Sequence, residues 1–358
     1  MSYTATNSPM KIQSKNAIDD YGAWAIGPAN FLTLKNSFPN LFCFQTAKTP
    51  DQTAQVIVFN GSPPPLYQTP IKSVSTLLSI QPDNNQNGIT AGTYSFGFGP
   101  TMDLLLVKTS GTKSGYVEVF VLYGAPCFFN STQYDSYRTC VDTAPRTPFP
   151  TDHIPDQGFV TNILVADAPN YVFRVGDFKS NGNNDLYCIK TFGTGSGDVE
   201  VTILGGWSLA SASTNGSYYN TPLLTGTSRA IEVPTSASEG DTSNANDYHW
   251  IASTLGSTSG ALLYGVKVRN LQPTNTGRAV ELYSVKLDNA WSGNMPPPAP
   301  LTFIDFLPLQ NFYDGDYAHP NFHWVMSRDF GFYGINTHNE DNPDLNNVDV
   351  WQFKPQQQ

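Results

Sequence analysis

The sequence predicts an all-β protein: a five-bladed β-propeller of four-stranded antiparallel blades joined by long inter-blade loops. The first observation is a short strand centred on an aromatic residue, which recurs as Trp24, Phe96, Phe173, Trp250 and Trp324. Successive copies lie 72, 77, 77 and 74 residues apart, so five copies account for the chain. The second observation is that two more strands with alternating apolar residues follow every copy.

The strands of each predicted unit follow one order. After the aromatic strand come segments 41–46, 104–109, 186–191, 263–268 and 332–337, and then segments 54–59, 117–122, 199–204, 280–285 and 348–353. One further strand is predicted to open each unit, at 10–13, 75–80, 161–166, 228–233 and 302–307. Four-stranded units repeated five times around an axis describe a five-bladed β-propeller. We therefore expect a single domain over 1–358, with approximate blades 10–60, 75–124, 160–206, 228–287 and 302–354.

Pro-rich and Tyr-rich segments separate the predicted units, for example 61–70, 125–157, 215–227 and 291–300. They follow the last strand of the repeat, so they should gather on one face or rim, where binding commonly resides. A pair of β-sandwiches is the alternative architecture, and it explains the strand count but not the fivefold period.

Composition restricts the function classes. Of the 358 residues, 39% are hydrophobic and only 13% are charged, which suits short strands with many turns better than charged helix surfaces. The net charge of −10 and the lack of a basic patch argue against a nucleic-acid partner. No apolar run is long enough for a transmembrane segment. The first 22 residues lack the apolar core of a secretory signal peptide, so the localisation is unknown: cytoplasmic, exported by another route, or extracellular with its leader absent.

The four cysteines divide into two pairs. Cys43 and Cys188 occupy the same strand position in two units, which predicts small buried hydrophobic side chains. Cys127 and Cys140 lie in one long loop, where a local disulfide depends on the cellular compartment.

One stretch resembles a known family. The run that starts at Asp185 reads DLYCIKTFGTGSGDVEVTILGG, and a copy of it starts at Asp103. Both are similar to the blade repeats of bacterial and fungal sugar-binding β-propeller lectins with FG-GAP (VCBS-like) blades. The resemblance is close over 170–206, good over 94–124 and only a pattern elsewhere. It implies a lectin-like propeller that binds glycans between blades.

The loop before Asp185 is similar to the calcium-binding loops of the same repeats. Asp177, Asn181 and Asp185 match the pattern, but Lys179 stands at a ligand position, where an ammonium group cannot coordinate a cation. We therefore predict no cofactor and no metal. Calcium is disfavoured, and this loop is a degenerate calcium-type loop.

Ligand contacts are predicted at the bases of the long loops. Aromatic side chains there can stack on sugar rings, and neighbouring amides and carboxylates can bind hydroxyl groups. The candidates are Tyr123, Trp207, Trp291, Asn130, Asn215, Asp288 and Asn289. A structural role, in which these side chains anchor the long loops on the rim, accounts for their positions equally well.

The aromatic residues at the strand centres are assigned to the core, because apolar residues follow at alternate positions. His249 and His323 stand next to two of them and should point to the opposite face. We expect ordinary surface histidines there.

Three functions are open at this point. The first is a non-enzymatic, multivalent carbohydrate-binding lectin whose partners are glycans or glycoproteins. The alternative is a structural or adhesion protein whose loop-bearing propeller rim makes protein–protein or self-assembly contacts. The sequence leaves open whether the protein forms a homo-oligomer. The third is a propeller-type glycoside hydrolase. No catalytic motif is present, so no catalytic residue is assigned, but a hydrolase would draw its carboxylates from Asp20, Asp103, Asp177, Asp185, Asp247 and Asp305.

Overall fold

The structure is a computed structural model. It describes the strands given below and residues 109, 168–170, 177–178, 184, 191–194, 198, 205–206, 253, 301 and 331. These residues form strands and short connections, with one 3-10 turn at Ala168–Asn170. The predicted all-β class is confirmed.

The described part of the chain contains the following strands. They are Tyr3–Ala5 (β1), Met10–Gln13 (β2), Tyr21–Ala29 (β3), Pro39–Gln45 (β4), Thr53–Phe59 (β5), Pro70–Gln81 (β6), Ile89–Thr90 (β7), Tyr94–Phe98 (β8), Leu104–Lys108 (β9), Tyr116–Leu122 (β10), Phe159–Leu164 (β11), Tyr171–Gly176 (β12), Asp185–Lys190 (β13), Val199–Leu204 (β14), Arg229–Glu232 (β15), Tyr248–Ala252 (β16), Ala261–Val268 (β17), Ala279–Leu287 (β18), Ala299–Pro300 (β19), Thr302–Pro308 (β20), Phe322–Met326 (β21), Phe332–Asn336 (β22) and Asn347–Pro355 (β23).

These strands pair into separate sheets along the chain. Sheet 1 has the order β3-β4-β5-β6-β7, sheet 2 β8-β9-β10-β11, sheet 3 β12-β13-β14-β15-β19 and sheet 4 β16-β17-β18-β20. Sheet 5 has the order β21-β22-β23, with β1 and β2 both paired to β23. Within sheets the main pairings are antiparallel, as predicted.

The fourth strand of each sheet differs from its predicted place. Strands β6, β11, β15 and β20, which were predicted to open a unit, pair instead with the last strand of the preceding unit. Strand β2, predicted to open the first unit, pairs with β23. The alternating pattern of such a strand fits either place, and distance along the chain does not decide between them: residues 165–170 alone separate β11 from β12, whereas residues 123–158 separate it from β10, with which it pairs.

The first strands of the five sheets, β3, β8, β12, β16 and β21, contact one another in a closed cycle. We call them the ring strands. Each one contacts the ring strand of the preceding sheet and that of the following sheet, and β21 contacts β3. The chain therefore brings five copies of one sequence position around a common centre.

Apolar layers fill the spaces between successive sheets. Phe173 packs with residues of sheet 2, Trp250 with residues of sheet 3 and Trp324 with residues of sheet 4. All three side chains are buried, which confirms their assignment to the core, and Phe96 is half-buried. The side chain of Trp24 lies outside the described residues. Cys188 is also buried and free, as predicted, and burial raises the pKa of its thiol to about 12.

Two of the three ring-strand tryptophans lie opposite a glycine, whereas Trp24 pairs with Cys43. Trp250 pairs with Gly265 and Trp324 with Gly334 on the neighbouring strand. A β-carbon on Gly334 would lie 2.9 Å from two ring atoms of Trp324. The indole therefore occupies the space that a side chain at the glycine would need. Pairing a large residue with a small one across two strands in this way helps to set the strand register.

A polar row crosses three of the sheets at the start of the ring strands. The cross-strand neighbours are Tyr94–Lys108–Glu118 in sheet 2, Tyr171–Lys190–Glu200 in sheet 3 and Tyr248–Lys267–Glu281 in sheet 4. Lys108 and Lys267 are buried, and the ammonium of Lys267 lies 5.9 Å from the centroid of the Tyr248 ring. Glu281 accepts a 2.6 Å hydrogen bond from the Tyr283 hydroxyl. Buried charges are tolerated when partners surround them, so a one-residue slip of any of these strands is strongly disfavoured.

A buried carboxylate joins the start of β13 to the end of β14. Asp185 accepts hydrogen bonds from the backbone N–H of Phe178 at 2.9 Å and of Gly206 at 2.8 Å. Gly206 can approach only because it has no side chain, since a β-carbon there would lie 1.7 Å from the Asn184 carbonyl oxygen.

We predict that Gly206→Ala destabilises the protein by about 3 kcal/mol or more, because the backbone must move and the Asp185 hydrogen bond is lost. Gly97→Ala is the matched control: its β-carbon would meet its nearest neighbour at an ordinary 3.5 Å. Urea unfolding followed by tryptophan fluorescence measures both variants. Equal unfolding free energies for the two variants would contradict this account.

Candidate functional site

The ring strands turn their alternate residues away from the preceding sheet. Phe173, Trp250 and Trp324 are buried in the layers between sheets, whereas their neighbours Arg174, His249 and His323 are half-buried. On β8 the corresponding Ser95 and Gly97 are half-buried too. Because the ring strands surround a common centre, we infer that these alternate positions line it.

Arg174 bridges two ring strands. Its Nε donates to the carbonyl oxygen of Trp250 on β16 at 2.5 Å, and its Nη1 donates to the carbonyl oxygen of Phe173 at 2.8 Å. Burial lowers the pKa of the guanidinium to about 10, which leaves it charged at neutral pH. A guanidinium has five N–H groups, and these two bonds use two of them. Among the described residues, no carboxylate pairs with Arg174.

His249 and His323 lie on the next two ring strands. Burial, which is the largest cause, and the positive charge of Arg174 together lower the pKa of both imidazoles to about 4. His323 is also affected by His249, so the three side chains form one electrostatic group. The expectation of ordinary surface histidines is wrong, because the closed ring holds them in a poorly solvated space.

We call Arg174, His249 and His323 the ring-centre site. At neutral pH it contains one positive charge and two neutral imidazoles, each with one N–H donor and one acceptor nitrogen. The segments that form the five ring strands contain no Asp or Glu. The site is therefore electropositive within a chain of net charge −10. Imidazoles with a pKa of about 4 are weak bases, so the site suits binding better than general-base catalysis near pH 7.

The carboxylates proposed for a hydrolase do not meet at this site among the described residues. Asp177 is buried at the end of β12, and both oxygens of Asp185 bind backbone N–H groups. Asp305 belongs to β20, an outer strand of sheet 4. Asp20, Asp103 and Asp247 lie outside the described residues.

The degenerate calcium-type loop is only partly described. Each carboxylate oxygen of Asp185 accepts a backbone hydrogen bond, and Asn181 and Lys179 lie outside the described residues. Within the part of the chain that the structure describes, no group of three or more His, Cys, Asp or Glu side chains could hold a metal ion. Asp185 acts here as a structural clamp.

The predicted ligand contacts all lie outside the described residues. They are Tyr123, Trp207, Trp291, Asn130, Asn215, Asp288 and Asn289, and the same is true of Cys127 and Cys140. Sequence reasoning missed Arg174. Its signal was present, since Arg174, His249 and His323 each stand next to the central aromatic of an aligned strand.

The comparisons with known proteins give structural likenesses only. No protein-family model matches the chain, and no curated protein sequence does. Thirteen chains of solved structures match. An exo-1,5-α-L-arabinanase from a bovine ruminal metagenomic library is 11% identical, with 92% of each chain covered and a TM-score of 0.39.

Two further solved structures are similar at the same level. A thermostable family-43 glycoside hydrolase is 11% identical, with 92% of this chain and 89% of that chain covered and a TM-score of 0.36. The α-L-arabinanase of Penicillium chrysogenum in complex with arabinobiose is 10% identical, with 98% of each chain covered and a TM-score of 0.36. These structures are named as hydrolases, which contradicts the predicted non-enzymatic lectin; neither the lectin nor the adhesion protein is supported.

No described helix is long and apolar enough to cross a membrane.

We predict that the protein loses stability as the pH falls from about 6.5 to about 4. Unfolded histidine has a pKa of about 6.5, so between these values the unfolded chain binds protons that folded His249 and His323 do not. The stability is complete above the unfolded pKa, and the loss amounts to about 2 kcal/mol per histidine after allowance for partial solvent screening.

Urea unfolding at a series of pH values measures this loss. The double variant His249→Gln/His323→Gln should show a flatter profile over the same range, while His338→Gln serves as the control outside the ring strands. An unchanged profile in the double variant would rule out the ring-centre histidines as its cause.

Proposed function

We propose that the chain is a five-bladed β-propeller of four-stranded blades that binds a small anionic ligand at the ring-centre site. The blade count is supported by the five sheets that follow the fivefold repeat and by the contact cycle of the ring strands. The observation that carries the ligand proposal is Arg174, a desolvated cation without a carboxylate partner among the described residues.

The cost of desolvating Arg174 favours an anion. A charge removed from water needs a partner of opposite sign or a full set of hydrogen bonds, and two backbone carbonyl oxygens satisfy only part of a guanidinium. An oxyanion would supply both the charge and the missing acceptors. Charge-assisted hydrogen bonds of this kind are about twice as strong as neutral ones.

The N–H groups of Arg174 that have no acceptor among the described residues define the ligand's chemistry. Nη2 and the remaining Nη1 hydrogen of Arg174 form a planar pair that matches a carboxylate in a bidentate contact. His249 and His323 can each donate one more hydrogen bond without adding charge. We therefore propose a monoanion with a carboxylate group as the preferred ligand, ahead of a dianionic phosphate.

We predict measurable binding of acetate or glucuronate in isothermal titration calorimetry, and a loss of at least about tenfold in affinity in Arg174→Met. Because Arg174 also bridges β12 and β16, His323→Leu provides a second variant that removes one donor and breaks no hydrogen bond between described residues. Lys286→Met is the matched control, because it removes an exposed positive charge outside the site.

The controls decide the interpretation. Binding that is weakened equally by Lys286→Met reflects net charge and not the site. The absence of carboxylate binding by the folded protein, or full affinity in both site variants, would overturn the proposal.

Glycoside hydrolysis is a second candidate function. The observation that favours it is that Asp20 and Asp247 immediately precede ring strands β3 and β16 in the sequence. Two such carboxylates could serve as general acid and as base or nucleophile. The solved structures with a similar chain path include arabinanases, so arabinan is the first substrate to examine.

We predict that, if the chain is a hydrolase, reducing ends are released from arabinan or a related polysaccharide and that Asp20→Asn or Asp247→Asn lowers the rate at least about 100-fold. Asp198→Asn in the β13–β14 hairpin is the matched control. Turnover that survives both substitutions, or no turnover by the folded protein across a polysaccharide panel, would exclude this mechanism.

A further inference from the structure

Sheet 5 is built from the two ends of the described chain. Residues 3–5 pair antiparallel with residues 353–355 of β23, and residues 10–13 pair with residues 347–350. The two registers differ by two residues, and both β1 and β2 pair with the edge of β23 that lies opposite β22. We call β1 and β2 together the closing segment.

Strand β23 is held in place by other contacts as well. Its inner edge pairs with β22 from Phe332 to Asn336. Its side chains Val350, Trp351 and Phe353 are buried, and they belong to the apolar layer between sheets 4 and 5. The outer edge of β23 is therefore formed by a strand whose position does not depend on the closing segment alone.

The closing segment has a short connection to the first sheet. Only residues 14–20 separate β2 from ring strand β3, and this run, SKNAIDD, contains three charged residues and no glycine. A short connection between a peripheral strand and its domain favours exchange of that strand between identical chains. The backbone pairing with β23 is the same whichever copy supplies the segment.

We propose that the outer edge of β23 is a strand-acceptor surface, and that the closing segment of one copy of the chain can occupy β23 of a second copy. The partner is thus a second copy of this chain, and the interface is an added antiparallel strand in the register of the single chain. Strand addition of this type takes its affinity from main-chain hydrogen bonds, so it needs no change in the apolar layers. The inference is independent of the ligand at the ring centre.

Cysteine cross-linking tests the proposal. Lys11 and Asp349 are register partners, whereas Lys354 pairs with Thr4. In a chain whose four native cysteines are replaced by alanine, Lys11→Cys and Asp349→Cys are made as separate variants, mixed, unfolded and refolded together at high concentration, and oxidised. The control mixture combines Lys11→Cys with Lys354→Cys, which are out of register.

Exchange predicts a disulfide-linked dimer of about twice 39.2 kDa that forms at least about fivefold more in the in-register mixture than in the control and increases with protein concentration. The double variant Lys11→Cys/Asp349→Cys, refolded when dilute, should form the bond within one chain. If the double variant cross-links internally and the in-register mixture gives no more dimer than the control, the closing segment does not exchange. If neither cross-links, the register itself is wrong and the acceptor surface with it.

Discussion

The packing of one ring strand against the preceding sheet is the interaction on which the rest of the structure depends. Trp250 is completely buried in the layer between sheets 3 and 4, and Phe173 and Trp324 have the same role in the layers beside it. A buried aromatic side chain contributes about 2–3 kcal/mol through removal of its apolar surface from water. Since each of these three layers is shared by two sheets, neither sheet 3 nor sheet 4 can be removed without exposing two apolar surfaces, and their ring strands are held together.

This constraint also creates the ring-centre site. A strand alternates its side chains, so fixing Trp250 in the layer fixes His249 on the opposite side, and the same holds for Trp324 with His323. Arg174 then contributes twice: its Nε donates a hydrogen bond from β12 to β16, and its charge adds to the effect of burial, which keeps both imidazoles neutral. Among the described residues no carboxylate pairs with Arg174, and burial lowers the pKa of its guanidinium to about 10.

The sequence was sufficient to predict the all-β class and the role of the strand-centre aromatics, because both depend on patterns that each repeat carries locally. The placement of the fourth strands could not be predicted in this way. A strand such as 228–233 has the same alternation whether it opens one sheet or closes the preceding one, and only the pairing of Val199 with Ile231 decides between them. The polar rows had a local signal in the recurring lysine and glutamate of sheets 2, 3 and 4, but their meaning appears only when the cross-strand register brings them together.

The ring-centre site needed the structure for a related reason. Arg174 and the two histidines are about 75 residues apart in the chain, and nothing local indicates that one lowers the pKa of the others. His323 belongs to β21, the first strand of sheet 5. The closing segment completes the same sheet on the far side of β23. The apolar layer that contains Val350, Trp351 and Phe353 of β23 also contains Trp324, the neighbour of His323. The strand pairing that completes sheet 5 and the position of an imidazole at the ring centre are therefore linked through one continuous layer of packed side chains.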